Sequence, residues 1–116
     1  MITLKLSRDK IISLHKITGT MIGHVQRLRE KLSYNLLRGE LGAHLYILQD
    51  LNRKLSIKIL QLQMKPGNRP TRFSVNEIEA FLLMHYFQAQ PVTMQEGYEL
   101  ATLQEISDPI YKHLLN

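Results

Sequence analysis

The chain has 116 residues, 44% apolar and 22% charged, with a net charge of +5 and no cysteine. That composition is globular and sufficient for one domain core, and it excludes disulfides, thiolate metal sites and a cysteine nucleophile. No apolar run approaches the length of a membrane span or a signal-peptide core, and Lys5, Arg8, Asp9 and Lys10 charge the start, so a cytoplasmic protein is expected.

Residues 2–6, Ile-Thr-Leu-Lys-Leu, alternate apolar and polar, which predicts a short strand or extended arm. Ser7 then predicts a helix N-cap, with Asp9 in the first turn and Leu6 and Ile11 as a hydrophobic staple. An apolar stripe through Ile11, Leu14, Thr18, Met21, Val25, Leu28 and Leu32 alternates steps of three and four, the seam of a bundle helix. It predicts one helix over about residues 8–38, roughly 45 Å long. Gly19 and Gly23, with Thr18 and Thr20, weaken that helix by ~2 kcal/mol. The stripe keeps its phase across them, which favours continuity over a break that would give a compact five-helix monomer. The two glycines would also let a second helix approach closely.

Gly39, just after Arg38, predicts the stop of the first helix, and Glu40 the start of a second. The second stripe runs Leu41, Leu45, Leu48, Asn52, Leu55, Ile59 and Leu62, and ends near Met64 because Lys65-Pro-Gly-Asn-Arg-Pro70 breaks helices. Residues 71–73 are predicted extended. Ser74-Val-Asn-Glu77 predicts a capping box with Phe73 and Ile78 as its staple, opening a third helix that carries Ile78, Phe81, Leu82, His85 and Tyr86 to about Gln88. Thr93-Met-Gln-Glu96 predicts a second box and a fourth helix through Met94, Tyr98, Ala101, Leu103 and Ile106. Asp108-Pro109 predicts a cap and a last short turn to Leu115. The expected fold is all-α: one domain over 1–116, a four-helix bundle of two helical hairpins with the first pair longer, and two arms able to pair as a two-stranded ribbon at its base.

The two hairpins differ in reach, since the second covers only about half the length of the first. Leucines near the first bend are therefore expected to seek a partner, which makes Leu36, Leu37, Leu41, Leu45 and Leu48 the candidate self-association surface.

Charge is lopsided. Residues 1–72 hold fourteen basic and four acidic side chains, and residues 73–116 hold one basic and six acidic. Either the two halves pack against each other or the basic half meets a polyanion. The candidate anion surface is Arg53, Lys54, Lys58, Lys65, Arg69 and Arg72; the stretch 53–72 contains no aromatic residue to stack on a base.

Chemistry is sparse by contrast. His15, His24, His44, His85 and His113 show no zinc-site spacing, and Glu40 with His44 is a two-group pair read as a surface contact. No phosphate loop and no nucleophile elbow is present. The expectation is a non-catalytic cytoplasmic protein with no cofactor and no metal, a homodimeric scaffold or adaptor working through protein–protein contact and without a membrane. The alternative is a nucleic-acid-binding accessory protein using residues 53–72.

Overall fold

The structure is a computed structural model that describes residues 1–32, 35–64, 67, 69–88 and 97–115, with side chains described outside 33–37 and 87–100. Among the described residues the order is β1 (Ile2–Leu6), α1 (Arg8–Lys31), α2 (Asn35–Gln63), β2 (Thr71–Val75), α3 (Glu77–Gln88) and α4 (Gly97–Leu115). It is a mostly helical fold with one small antiparallel sheet.

The two arms pair. β1 runs antiparallel to β2 in the register Ile2↔Val75, Leu4↔Phe73, Leu6↔Thr71. The two-residue period puts Ile2, Leu4, Leu6, Phe73 and Val75 on the buried face, and Thr3, Lys5, Arg72 and Ser74 on the exposed one.

α1 begins as the sequence predicts. The Lys10 N–H donates to Ser7 Oγ at 3.4 Å, the Ile11 N–H to the Ser7 carbonyl at 3.0 Å, and Leu6 and Ile11 are both buried. The helix is unbroken through Gly19 and Gly23. A Cβ at Gly19 would meet nothing within 4 Å, so the expected close approach of a second helix there does not occur.

α1 ends at Lys31 rather than near residue 38, with Leu32 extended as its C-cap, and α2 starts at Asn35 and passes through Gly39. A polar ladder explains the shift. His15 Nε2 and Ser56 Oγ lie 2.8 Å apart, and Asn52 Nδ2 donates to Thr18 Oγ1 at 2.8 Å and to the His15 carbonyl at 3.0 Å. In an antiparallel pair, these contacts place the bend at about residue 35. A bend at Gly39 would draw the ladder out of register by several residues, which outweighs the ~1 kcal/mol cost of a helical glycine.

The capping box of α3 also moves. Ser74 lies in β2, and Asn76 takes the cap: its Oδ1 accepts from the Glu79 N–H at 2.8 Å, and its own N–H donates to Glu79 Oε1 at 3.0 Å. α3 buries Ala80, Leu82, Leu83, Met84 and Tyr86 but leaves Ile78 and Phe81 exposed, contrary to the expected stripe.

α4 is one helix with Pro109 inside it, not a helix followed by a separate turn. Burial of Ile106 and Ile110 on one face contributes about 1.5–3 kcal/mol each and offsets the hydrogen bond that proline forgoes. The box expected at Thr93–Glu96 lies outside the described residues.

α1 lies along α2, α4 packs on α1 and β1, and α3 touches α2 and α4. The core runs from the buried sheet face through Leu14, Ile17, Met21 and Leu51 to Leu82, Leu83 and Ile106. Ion pairs join the basic and acidic halves: Lys10 with Glu105, and Lys54 with the buried Glu79 at 3.0 Å.

Candidate functional site

At the end of the α1–α2 hairpin the apolar stripes are only partly buried among the described residues. Leu28 is 37% exposed, and Leu41 and Leu45 are half-buried at the edge of the core. Between this end and the last turns of α3 lies a groove of about 380 Å³ lined by Leu28, Leu32, Leu41, His44, His85 and Tyr86, with Lys31 and Glu40 of opposite charge also on its wall.

Tyr86 anchors one wall. Its hydroxyl lies 2.9 Å from His44 Nδ1, tying α3 to α2. Burial first, and the Glu40 carboxylate second, push its phenol above the ordinary tyrosine value, so it stays neutral at physiological pH. The His85 ring meets Tyr86 edge-on at 5.0 Å and stacks on Phe81 at 6.0 Å with an 18° interplanar angle. The His44 ring lies 6.3 Å from that of His85. The result is an apolar trough with an aromatic and imidazole edge, suited to holding an apolar side chain beside a hydrogen-bonding group. Among the described residues no three His, Asp or Glu side chains gather into a metal-holding group.

The expected self-association residues are divided. Leu41 lines the groove and Leu45 is half-buried against the core. Leu48 is fully buried, so it faces the protein's own interior and not a partner. Leu36 and Leu37 lie outside the residues whose side chains are described. His44, expected as a surface partner of Glu40, is instead bonded to Tyr86. No spacing in the sequence connects those two residues, which are 42 positions apart, and only the packing of α3 on α2 does.

The basic stretch is divided as well. Arg53 donates to Asp50 at 2.7 Å, and the Lys54 ammonium lies between Asp50 and Glu79. These two cations are neutralised within the chain. Arg69 and Arg72 are exposed, Lys58 is half-buried, and Lys65 lies outside the described residues. Lys5, which the sequence reading did not single out, sits directly opposite Arg72 on the exposed sheet face. Like charges in that position repel.

Among the described residues no helix is long and apolar enough to cross a membrane. No protein-family model matches the chain, no curated protein matches it, and no solved structure matches it.

Proposed function

We propose that this chain is a non-catalytic helical scaffold or adaptor of the cytoplasm that self-associates and works by protein–protein contact, seating an apolar segment of a partner in the groove at the hairpin end. The observation that carries the reading is the trough built on Leu28, Leu32 and Leu41, with the Lys31 and Glu40 charges on its wall. An amphipathic helix with leucine-type anchors and flanking charges of both signs complements that wall. The test compares affinity capture by the wild type and by Leu28→Glu, with and without nuclease. Leu28 is partly exposed, so the variant is expected to fold, as circular dichroism checks, and to lose a protein that the wild type retains at high salt. Equal capture by both proteins would reject the groove.

A second reading keeps a nucleic acid as partner, supported by the Lys5–Arg72 pair on the sheet face with Arg69 exposed nearby in sequence. Two cations set against each other on an exposed ribbon favour a bridging anion. The double variant Lys5→Glu, Arg72→Glu is expected to abolish a gel shift that weakens steeply with salt. No shift of the wild type with DNA or RNA at low salt would end this reading.

A further inference from the structure

The side of α2 that points away from the core carries a repeating pattern. At alternating steps of four and three it presents Tyr46, Asp50, Arg53, Ile57, Leu60 and Met64, the last lying just past the helix end. Tyr46 is 73% exposed, Ile57 46%, Leu60 63% and Met64 88%. The opposite side of the same helix supplies Leu48, Leu51 and Leu55 to the core. Steps of four and three are the a/d period of a coiled coil, and here they fall on a face that none of the described residues covers. Two further steps toward the N-terminus reach Gly39 and Ala43, both exposed.

The pattern is complementary to its own reverse. Rotation about a two-fold axis level with Leu51 and Asn52 sets Asp50 against Arg53 and Tyr46 against Ile57. The same rotation sets Ala43 against Leu60 and Gly39 against Met64. Small side chains meet large ones, and the acid meets the base. A parallel pairing would instead put Asp50 on Asp50 and Arg53 on Arg53. Tyr46, Gln49, Asp50 and Arg53 also border an open, shallow hollow of about 290 Å³. They stand at i, i+3, i+4 and i+7, the four corners of the socket that receives one knob of a facing helix. In the reversed arrangement the knob entering that socket is the second copy's Arg53, which meets Asp50 there.

We propose that α2 pairs through this outer face with α2 of a second copy, as an antiparallel coiled coil running from Gly39 to Met64. The seam spans about 38 Å at 1.5 Å per residue. Asp50 and Arg53 of the two copies form a balanced polar layer at the centre, which fixes direction and register. This deepens the self-association in the proposed function and rests on that part alone. The groove at the hairpin end stays free for a partner of another kind.

Sedimentation of the full chain tests the pairing, and the absence of cysteine allows its direction to be read directly. The wild type is expected to sediment at twice 13.5 kDa, and Ile57→Glu with Leu60→Glu at the single-chain mass with unchanged helicity. Asp50→Arg is expected to raise the dimer dissociation constant about tenfold or more, and adding Arg53→Asp to restore it. Ala43→Cys and Leu60→Cys proteins are expected to form a mixed disulfide dimer when combined and none separately. Self-linking of Ala43→Cys, or a dimer indifferent to Ile57→Glu with Leu60→Glu, overturns this interface while leaving self-association standing. A wild type that sediments as one chain at every concentration overturns both. Leu28→Glu is expected to dimerise normally, so failure of the groove and failure of this seam are read separately.

Discussion

Two overlapping capping boxes compete at the start of α3, Ser74-x-x-Glu77 and Asn76-x-x-Glu79. Pairing of Val75 with Ile2 keeps Ser74 in the strand, and the cap passes to Asn76. Glu79 then serves two elements, with Oε1 on the Asn76 N–H and Oε2 on Lys54. Glu77 is released to the exterior, where it takes the His113 ring at 3.2 Å. Replacing Asn76 by Ala is expected to cost about 1 kcal/mol in urea unfolding. Ser74→Ala is expected to change stability by less than ~0.5 kcal/mol, and a larger loss at Ser74 would contradict the assignment.

The α1–α2 hairpin takes its register from polar atoms set in an apolar seam. Ser56 Oγ lies 2.8 Å from His15 Nε2 on α1 and 3.2 Å from the Asn52 carbonyl on its own helix. Thr18 donates to the His15 carbonyl and accepts from Asn52. Such a ladder has one good alignment, whereas leucine against leucine has several. The glycines of α1 carry no comparable duty. Gly19 is exposed in an ordinary helical conformation with open space where a Cβ would stand. Gly19→Ala is therefore expected to stabilise the protein by about 0.5–1 kcal/mol, seen as a rise in Tm. A fall in Tm would mean that the glycine is needed for a contact.

Across the fold, ion pairs set the response to pH, and the pair of Lys54 with Glu79 joins the basic and acidic halves. The Arg53 hydrogen bond, with help from Lys54, holds the Asp50 carboxyl below the ordinary range. The Glu77 carboxyl is held low by its own backbone N–H first, then by His113 and the terminal ammonium. A depressed carboxyl contributes stability that is complete above its ordinary value and is lost as pH falls through the folded value. Lys54 is raised, chiefly by its bond to Glu79, and its contribution is lost as pH rises through that raised value. Tyr86, raised by burial, opposes folding once pH passes the ordinary tyrosine value. Stability is thus expected to form a plateau through neutral pH with an acid and an alkaline limb. Urea midpoints against pH check it: Asp50→Asn is expected to flatten the acid limb, and an unchanged limb would count against the assignment.

Local chemistry in the sequence sufficed for the elements that own their signals. The alternation of Ile2, Leu4 and Leu6, the Ser7 cap with its Leu6–Ile11 staple, and the in-phase stripe across Gly19 and Gly23 fixed β1 and an unbroken α1, and made the two arms able to pair. Of the leucines expected to lie uncovered near the hairpin end, Leu41 and Leu45 are half-buried and Leu48 is fully buried. The bend position, the cap of α3 and the inclusion of Pro109 in α4 were not legible. Each is a choice between local options, settled by contacts between residues far apart in the chain: His15 with Ser56, Ile2 with Val75, and Ile106 and Ile110 with the core. The groove belongs to this second group, since His44 and Tyr86 meet only when α3 lies on α2. Local terms of about 1 kcal/mol yield wherever burial and bonding across the fold are worth more.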